Sequence, residues 1–418
     1  LLIVPGSALP RAGSIILSMD WRAHAWWGQR ATPPLGPPHA DGSAIHALDR
    51  RAMEAVATRA GGRTAAALRL TGARGDVLVG TLLSEAEIPL SDTVGPQLSA
   101  PALWPTDRPL RFGRGARRID HAGDAGRLNA ARRARLCVVA AMRNEAALLP
   151  CFLDHYRRLG VGGFLVVDNA STDGTREALA EAPDVALFEA AGSYAEARCG
   201  TDWQVALLSQ LRVGRWTLVA DADEFLLLPD GVPDLPALVD TPAFAEADAA
   251  RLFLLDIYPE GPLSGAALDS RDPLSLLDHA DAEPFHDAFD AGPYGDAQTW
   301  TSALRHRLFP EARRSLFVAQ KYALLRYRPW TRVTAGFHYA TGIRPARRDL
   351  ILAHAKYHAG FHAKAREESA RGEHFNGAEE YRAYAGLLAA GRDRLFGPAV
   401  SVPWRDSRWV RRRLSEGG

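Results

Sequence analysis

Between residues 136 and 229, apolar runs of strand length alternate with stretches of helical spacing. Residues 136–142 form a short apolar run that reads as a strand. Leu149, Phe152, Tyr156 and Leu159 then recur at helical intervals until Gly160 stops them. Residues 163–167 predict a second strand, and the polar turn 168–175, rich in capping residues, opens a helix through Leu179. Residues 185–188 make a third strand. Thr201-Asp-Trp-Gln204 has the spacing of a capping box for a third helix, running to about Leu211 and closed by Gly214. Residues 216–220 are a fourth strand, apolar on both faces, as suits the interior of a parallel sheet. Four strands alternating with three helices predict an α/β fold with a doubly wound, mostly parallel sheet.

That fourth strand stops in acid, at Asp221-Ala-Asp-Glu224. In an open α/β sheet ligands bind outside the carboxyl ends of the strands. Strand alternation would aim Asp221 and Asp223 the same way, toward one cation. The same residues also suit a plain turn or a helix cap, so the rest of the chain must decide. After the first strand stands Met142-Arg-Asn-Glu145 rather than a glycine-rich dinucleotide loop, and no Walker-type Gly-Lys-Ser/Thr occurs, which removes hydride transfer and P-loop hydrolysis.

Outside this region the pattern is looser. Residues 1–130 read as a β-containing accessory region, with 64–70 and 77–83 as hairpin strands and Trp21, Trp26 and Trp27 as core aromatics or a sugar-stacking platform. The basic stretch 111–135 reads as a solvated linker, and the arginine-rich tail from Arg405 as a solvated end. Residues 252–257 predict another strand, 278–296 a long acidic and aromatic loop, and Tyr381, Tyr384, Leu387 and Leu388 the apolar stripe of a packing helix. The expected division is 1–130 accessory region, 131–365 catalytic domain and 366–418 helical extension and tail.

Composition narrows the function. The net charge of +1 gives no general pull toward nucleic acid. No apolar run reaches the roughly 18 residues of a membrane span, and the opening Leu-Leu-Ile-Val-Pro lacks the length and basic flank of a signal peptide. A cytoplasmic protein is the expectation. Cys137, Cys151 and Cys199 lack metal-ligand spacing and suit reduced thiols. Lysine stands only at Lys321, Lys356 and Lys364; arginine supplies the other basic side chains.

Taken together, Ala141-Met-Arg-Asn-Glu145, Val167-Asp-Asn-Ala-Ser-Thr-Asp-Gly-Thr175 and Asp221-Ala-Asp-Glu-Phe225 resemble the GT-A glycosyltransferases, in particular the branch of family 2 related to family 92. The resemblance runs from about residue 136 to 384. It implies transfer of a sugar from a nucleotide-sugar donor, a UDP-sugar above others, to a hydroxyl of a carbohydrate or glycoconjugate acceptor, with inversion. Asn144, Glu145 and Asp168 would hold base or ribose, and Asp221 and Asp223 would hold Mn²⁺ or Mg²⁺ across the diphosphate, with His354 ahead of His338 as a further ligand. Lys321, Arg305 and Arg307 would neutralise phosphate or brace the acidic loop. Asp256 is the expected base, with Asp290 and Asp296 behind it. A sugar nucleotidyltransferase and a non-catalytic nucleotide-sugar-binding protein are the alternatives.

Overall fold

The computed structural model describes residues 110–415 apart from 269–271, 288–298 and 329, preceded by the short strands Ser14–Ile16, His46–Leu48 and Leu90–Ser91. Those three strands pair with one another. The expected 64–83 hairpin, the tryptophan cluster, Asp290 and Asp296 lie outside the described residues.

The central sheet has ten strands. In chain order they are β1 (Arg111–Phe112), β2 (Ile119–His121), β3 (Cys137–Met142), β4 (Phe164–Asp168), β5 (Val185–Glu189), β6 (Trp216–Val219), β7 (Glu224–Leu227), β8 (Ala249–Asp256), β9 (Gln320–Arg326) and β10 (Leu350–His354). The helices that bear on the site are α1 (Ala125–Arg133), α2 (Leu149–Arg158), α3 (Thr175–Glu181), α4 (Thr201–Leu211), α5 (Ala303–Leu308), α6 (Phe361–Arg371), α7 (Phe375–Ala389) and α8 (Arg408–Ser415). Across the sheet the order is β7-β10-β8-β9-β6-β3-β4-β5-β2-β1.

Strands β5, β4, β3 and β6 are parallel neighbours in that order, so the chain winds outward from β3 and then reverses to place β6 on its other side. Such a reversal is the topological switch point at which α/β sheets open a crevice. Continuous apolar sequence explains the position of these strands: β4 is buried at every residue and β3 at all but Ala141. The sheet as a whole is mixed. β6 has a parallel neighbour in β3 but an antiparallel one in β9, and β7 and β2 also run against the majority.

Helix α2 carries the apolar stripe read from the sequence, with Phe152 and Tyr156 fully buried. It also holds β7 in place. The Tyr156 hydroxyl donates to the Glu224 carbonyl at 2.7 Å, and His155 Nε2 donates to the Leu226 carbonyl at 3.0 Å. Arg212, fully buried, ties the end of α1 to the start of β6 by donating to the carbonyls of Ala131, Arg132, Ala134 and Trp216.

Four expectations change. The 111–135 stretch is no solvated linker: β1 and β2 extend the sheet beyond β5, and α1 buries Leu128 and Ala131. The expected boundary at residue 130 falls inside α1. The tail from Arg405 is no solvated end, because Val410 is fully buried and the Trp409 ring packs 4.6 Å from that of Phe285. The capping box at Thr201 does not form either; Gly200 is the N-cap, and the Thr201 hydroxyl accepts instead from the backbone N–H of Gly336. Among the described residues no helix is long and apolar enough to cross a membrane.

Candidate active site

A cavity of about 630 Å³ opens at the switch point, bounded by the ends of β3 and β6 and roofed by α6 and α7. β3 delivers Arg143 and Glu145, β4 delivers Asn169, β6 leads to Asp221 and Asp223, and β10 ends on His354. Strand β9 runs the opposite way, so its beginning, with Lys321, reaches the same edge. Backbone strain gathers here too. Asn144, Ala170 and Cys199 adopt left-handed φ values of 53°, 55° and 54°, a region costly for side chains other than glycine's.

Asp221 and Asp223 do not share one direction, because both lie beyond Val219 in the turn to β7, where strand alternation no longer applies. Asp221 keeps its side chain 45% exposed and accepts from Lys321 Nζ at 2.7 Å. Asp223, at 11%, faces His354, with Oδ2 3.5 Å from Nε2. Sheet register places His354 between Glu224 on β7 and Asp256 on β8. On its other side His354 Nδ1 lies 2.8 Å from Asp256 Oδ1. Burial alone would lower the His354 pKa, but Asp223 and Asp256 outweigh it and raise it.

Asp256 is not placed to act as the expected base. Its carboxylate receives both arms of the Arg305 guanidinium at 2.8 Å and the Ser302 hydroxyl at 2.5 Å, and it is buried. Burial would push its pKa up; Arg305 and His354 prevail and hold it far below the usual carboxylate range. A carboxylate so stabilised is a poor proton acceptor. Its geometry makes it the partner that orients His354.

Asp223 and His354 could hold a divalent ion between them. Bonds from such an ion to carboxylate oxygen or imidazole nitrogen run about 2.0–2.2 Å, so two adjacent ligands stand about as far apart as Asp223 Oδ2 and His354 Nε2. A carboxylate on the second ring nitrogen, as Asp256 provides, is the usual support of a metal-bound histidine. Among the described residues no group of three or more His, Cys, Asp or Glu side chains is arranged to hold an ion. Two protein ligands with the rest from phosphate and water is a common arrangement for Mg²⁺ at nucleotides.

The other expected residues divide. Glu145 borders the cavity and pairs with Lys364 at 2.5 Å; burial raises its pKa to about 7 against the pull of Lys364. His338 borders it as well, with Nδ1 donating to the Gln320 carbonyl at 2.8 Å, so that Nε2 keeps its lone pair. Burial and Lys321 push the His338 pKa down to about 4. Asp168 and Asn144 are not among the residues bordering the cavity. Asp168 is buried and accepts from the Ser171 N–H, while its Oδ1 has no hydrogen-bond partner among the described residues. Asn144 braces the β4–α3 turn by accepting from Thr172 N–H, and it donates to Glu367. Arg305 borders the cavity but is committed to Asp256. Arg307 turns to Asp281 at 2.7 Å, bracing the acidic segment rather than facing phosphate.

Sequence reasoning missed the roof. Tyr194, Glu368, Arg371, His374, Glu380 and Tyr381 border the cavity, most of them from α6 and α7. Arg371 donates to Asn169 at 2.8 Å, and the rings of Tyr194, His374 and Tyr381 follow one another at 5.0 and 4.6 Å. One sequence signal did point here: the chain's three lysines all border this cavity.

No protein-family model and no curated protein sequence matches the chain. Among solved structures, TarS of S. aureus aligns at 14% identity with a TM-score of 0.27, over 63% of this chain and 44% of TarS. The chain thus spans less than half the length of that protein, and a likeness so slight supports no statement about fold or activity.

Proposed function

We propose that the protein is a metal-assisted glycosyltransferase of the GT-A kind, taking a nucleotide-sugar donor, first of all a UDP-sugar, and passing the sugar to a hydroxyl acceptor with inversion. The observation that carries this reading is the meeting of Asp223 with His354 at 3.5 Å at the switch-point edge, inside a cavity that also holds three lysines. Asp223 and His354 would hold the ion, with Asp221 as a further ligand, and Asp256 would keep the imidazole oriented. The bound ion supplies positive charge against the departing diphosphate. Glu145 and Asn169, which border the cavity, take the nucleoside side, and Lys321 adds positive charge near the phosphates, while Arg305 stays on Asp256. In the transfer, the acceptor oxygen bonds to the anomeric carbon as the bond from that carbon to the diphosphate oxygen breaks. The bonding pair leaves with the diphosphate, and the acceptor proton passes to a carboxylate; Asp256, held by Arg305, is not placed for this, and the other expected candidates, Asp290 and Asp296, lie outside the described residues.

Calorimetry with UDP, with and without Mn²⁺, tests the reading alongside release of UDP from a panel of UDP-sugars. Asp223→Ala is expected to remove the Mn²⁺-dependent part of UDP binding and to abolish turnover while leaving the melting temperature near wild type. Undiminished metal-dependent turnover in that variant overturns the assignment, and tight binding without turnover by the wild type favours a non-catalytic binder.

A further inference from the structure

The chain's three lysines share one arrangement. Lys321 sits on Glu224 at 2.5 Å, Lys356 on Glu380 at 3.0 Å and Lys364 on Glu145 at 2.5 Å, and all six residues border the same cavity. In a chain whose basic residues are otherwise arginine, an ammonium has been kept only here. A guanidinium is a rigid planar fork, whereas an ammonium is a compact charge on a flexible stem that can change partners without rebuilding its surroundings. Lys321 differs from the other two in holding a second carboxylate, Asp221, at 2.7 Å. The Asp221 side chain is half-exposed toward the cavity, while Lys321 and Glu224 are buried behind it. Asp221 therefore already has a cation.

We propose that Lys321 and a divalent cation are rivals for Asp221, and that a nucleoside diphosphate decides between them by offering Lys321 phosphate oxygens in exchange. In the free protein Lys321 is parked on Asp221 and Glu224, and an ion beside Asp221 would meet the ammonium within a few ångströms, at a separation where like charges repel strongly in a partly buried site. Once the ammonium turns to a phosphate, Asp221 is released to join Asp223 and His354. Ion and diphosphate then bind with positive coupling, which by linkage must be the same whichever binds first. The proposal rests on reading the cavity as a metal–diphosphate site and adds to it a coupling that the lysine enforces.

The test is Mn²⁺ binding to the whole chain followed by the electron paramagnetic resonance signal of the free ion, without nucleotide and then with saturating UDP. Lys321→Met is expected to bind Mn²⁺ alone at least tenfold more tightly than wild type and to lose most of the enhancement that UDP brings. Lys321→Arg, which keeps the charge, is expected to bind Mn²⁺ alone as weakly as wild type. Because Lys321→Met leaves Glu224 buried beside an apolar chain, the double variant Lys321→Met/Glu224→Gln repeats the measurement with the pair neutralised, and the same tightening is expected. Mn²⁺ affinity unchanged or weakened in both methionine variants, or no Mn²⁺ binding in any form, overturns the proposal. Should Mn²⁺ binding tighten as expected while UDP binds to no variant, the rivalry stands and the nucleotide-sugar reading falls.

Discussion

At the residue scale, each expected site residue is defined by what it touches. Asp223 and His354 face one another across 3.5 Å, whereas Asp256, two strands from Asp223's turn, gives both carboxylate oxygens to Arg305. This separates two roles that look alike in sequence, since a base must be free to take a proton and a buried partner of arginine is not. Asp256→Asn is therefore expected to act on the fold, leaving buried Arg305 to the more distant Glu380, 3.5 Å away, and lowering stability by up to about 3–5 kcal/mol. Urea denaturation reads this directly; wild-type stability with lost turnover would return Asp256 to the role of base. The lysines belong to the same scale. Their scarcity is plain in the sequence, but the glutamates they hold stand 24 to 219 positions away along the chain.

At the element scale, the acid-bearing turn is placed by the strands on each side of it and by α2. Strand β6 lies between β3 and β9, and β7 is fixed through Tyr156 and His155. His155 is buried, and burial pushes its pKa down to about 4 against the opposing effect of its bond to the Leu226 carbonyl. The folded protein therefore keeps this imidazole neutral while the unfolded chain takes up a proton near pH 6.5. As pH falls from 6.5 toward 4 the unfolded state binds more protons, so this contribution to stability declines, by about 1.4 kcal/mol per pH unit. Above pH 6.5 it is fully present. His155→Gln keeps a donor for Leu226 and cannot be protonated, so the stability advantage of wild type over the variant should shrink across that window. A constant difference between pH 7 and pH 5 in denaturant titrations would contradict it.

At the scale of the whole molecule, the C-terminal third completes both core and cavity. Helix α7 buries Tyr384, Leu387 and Leu388 in a cluster with Tyr258, Tyr357 and Phe361, and its outer residues roof the cavity. Beyond it, Trp404 is buried and donates to the Leu274 carbonyl at 3.2 Å, and α8 sets Val410 and Trp409 against the sheet. A chain ended after Pro403 should melt at least about 6 °C lower than the full chain: losing one buried tryptophan typically costs about 3–5 kcal/mol, and in a protein this large each kcal/mol moves the midpoint about 2–4 °C. An unchanged melting temperature by calorimetry would mean that these residues are dispensable.

The sequence by itself determined the local elements of the β-α region and the place of its acid. Periodicity and stop signals are properties of neighbouring residues, so β3, α2, β4, α3, β5, α4 and β6 all lie within a residue or two of their expected bounds. Asp221, Asp223, His354, His338, Glu145 and Lys321 were all legible as candidates, and all border the cavity. Tertiary structure alone decided what each of them holds. Whether Asp221 turns to a lysine, Asp223 to a histidine or Asp256 to an arginine depends on register between strands distant in sequence, as with Glu224, His354 and Asp256 set side by side. The linker and tail were misread for the same reason. Arginine-rich stretches look solvated from composition, but the end of α1 finds Arg212 to accept from and α8 finds an apolar face only once the sheet exists to offer them.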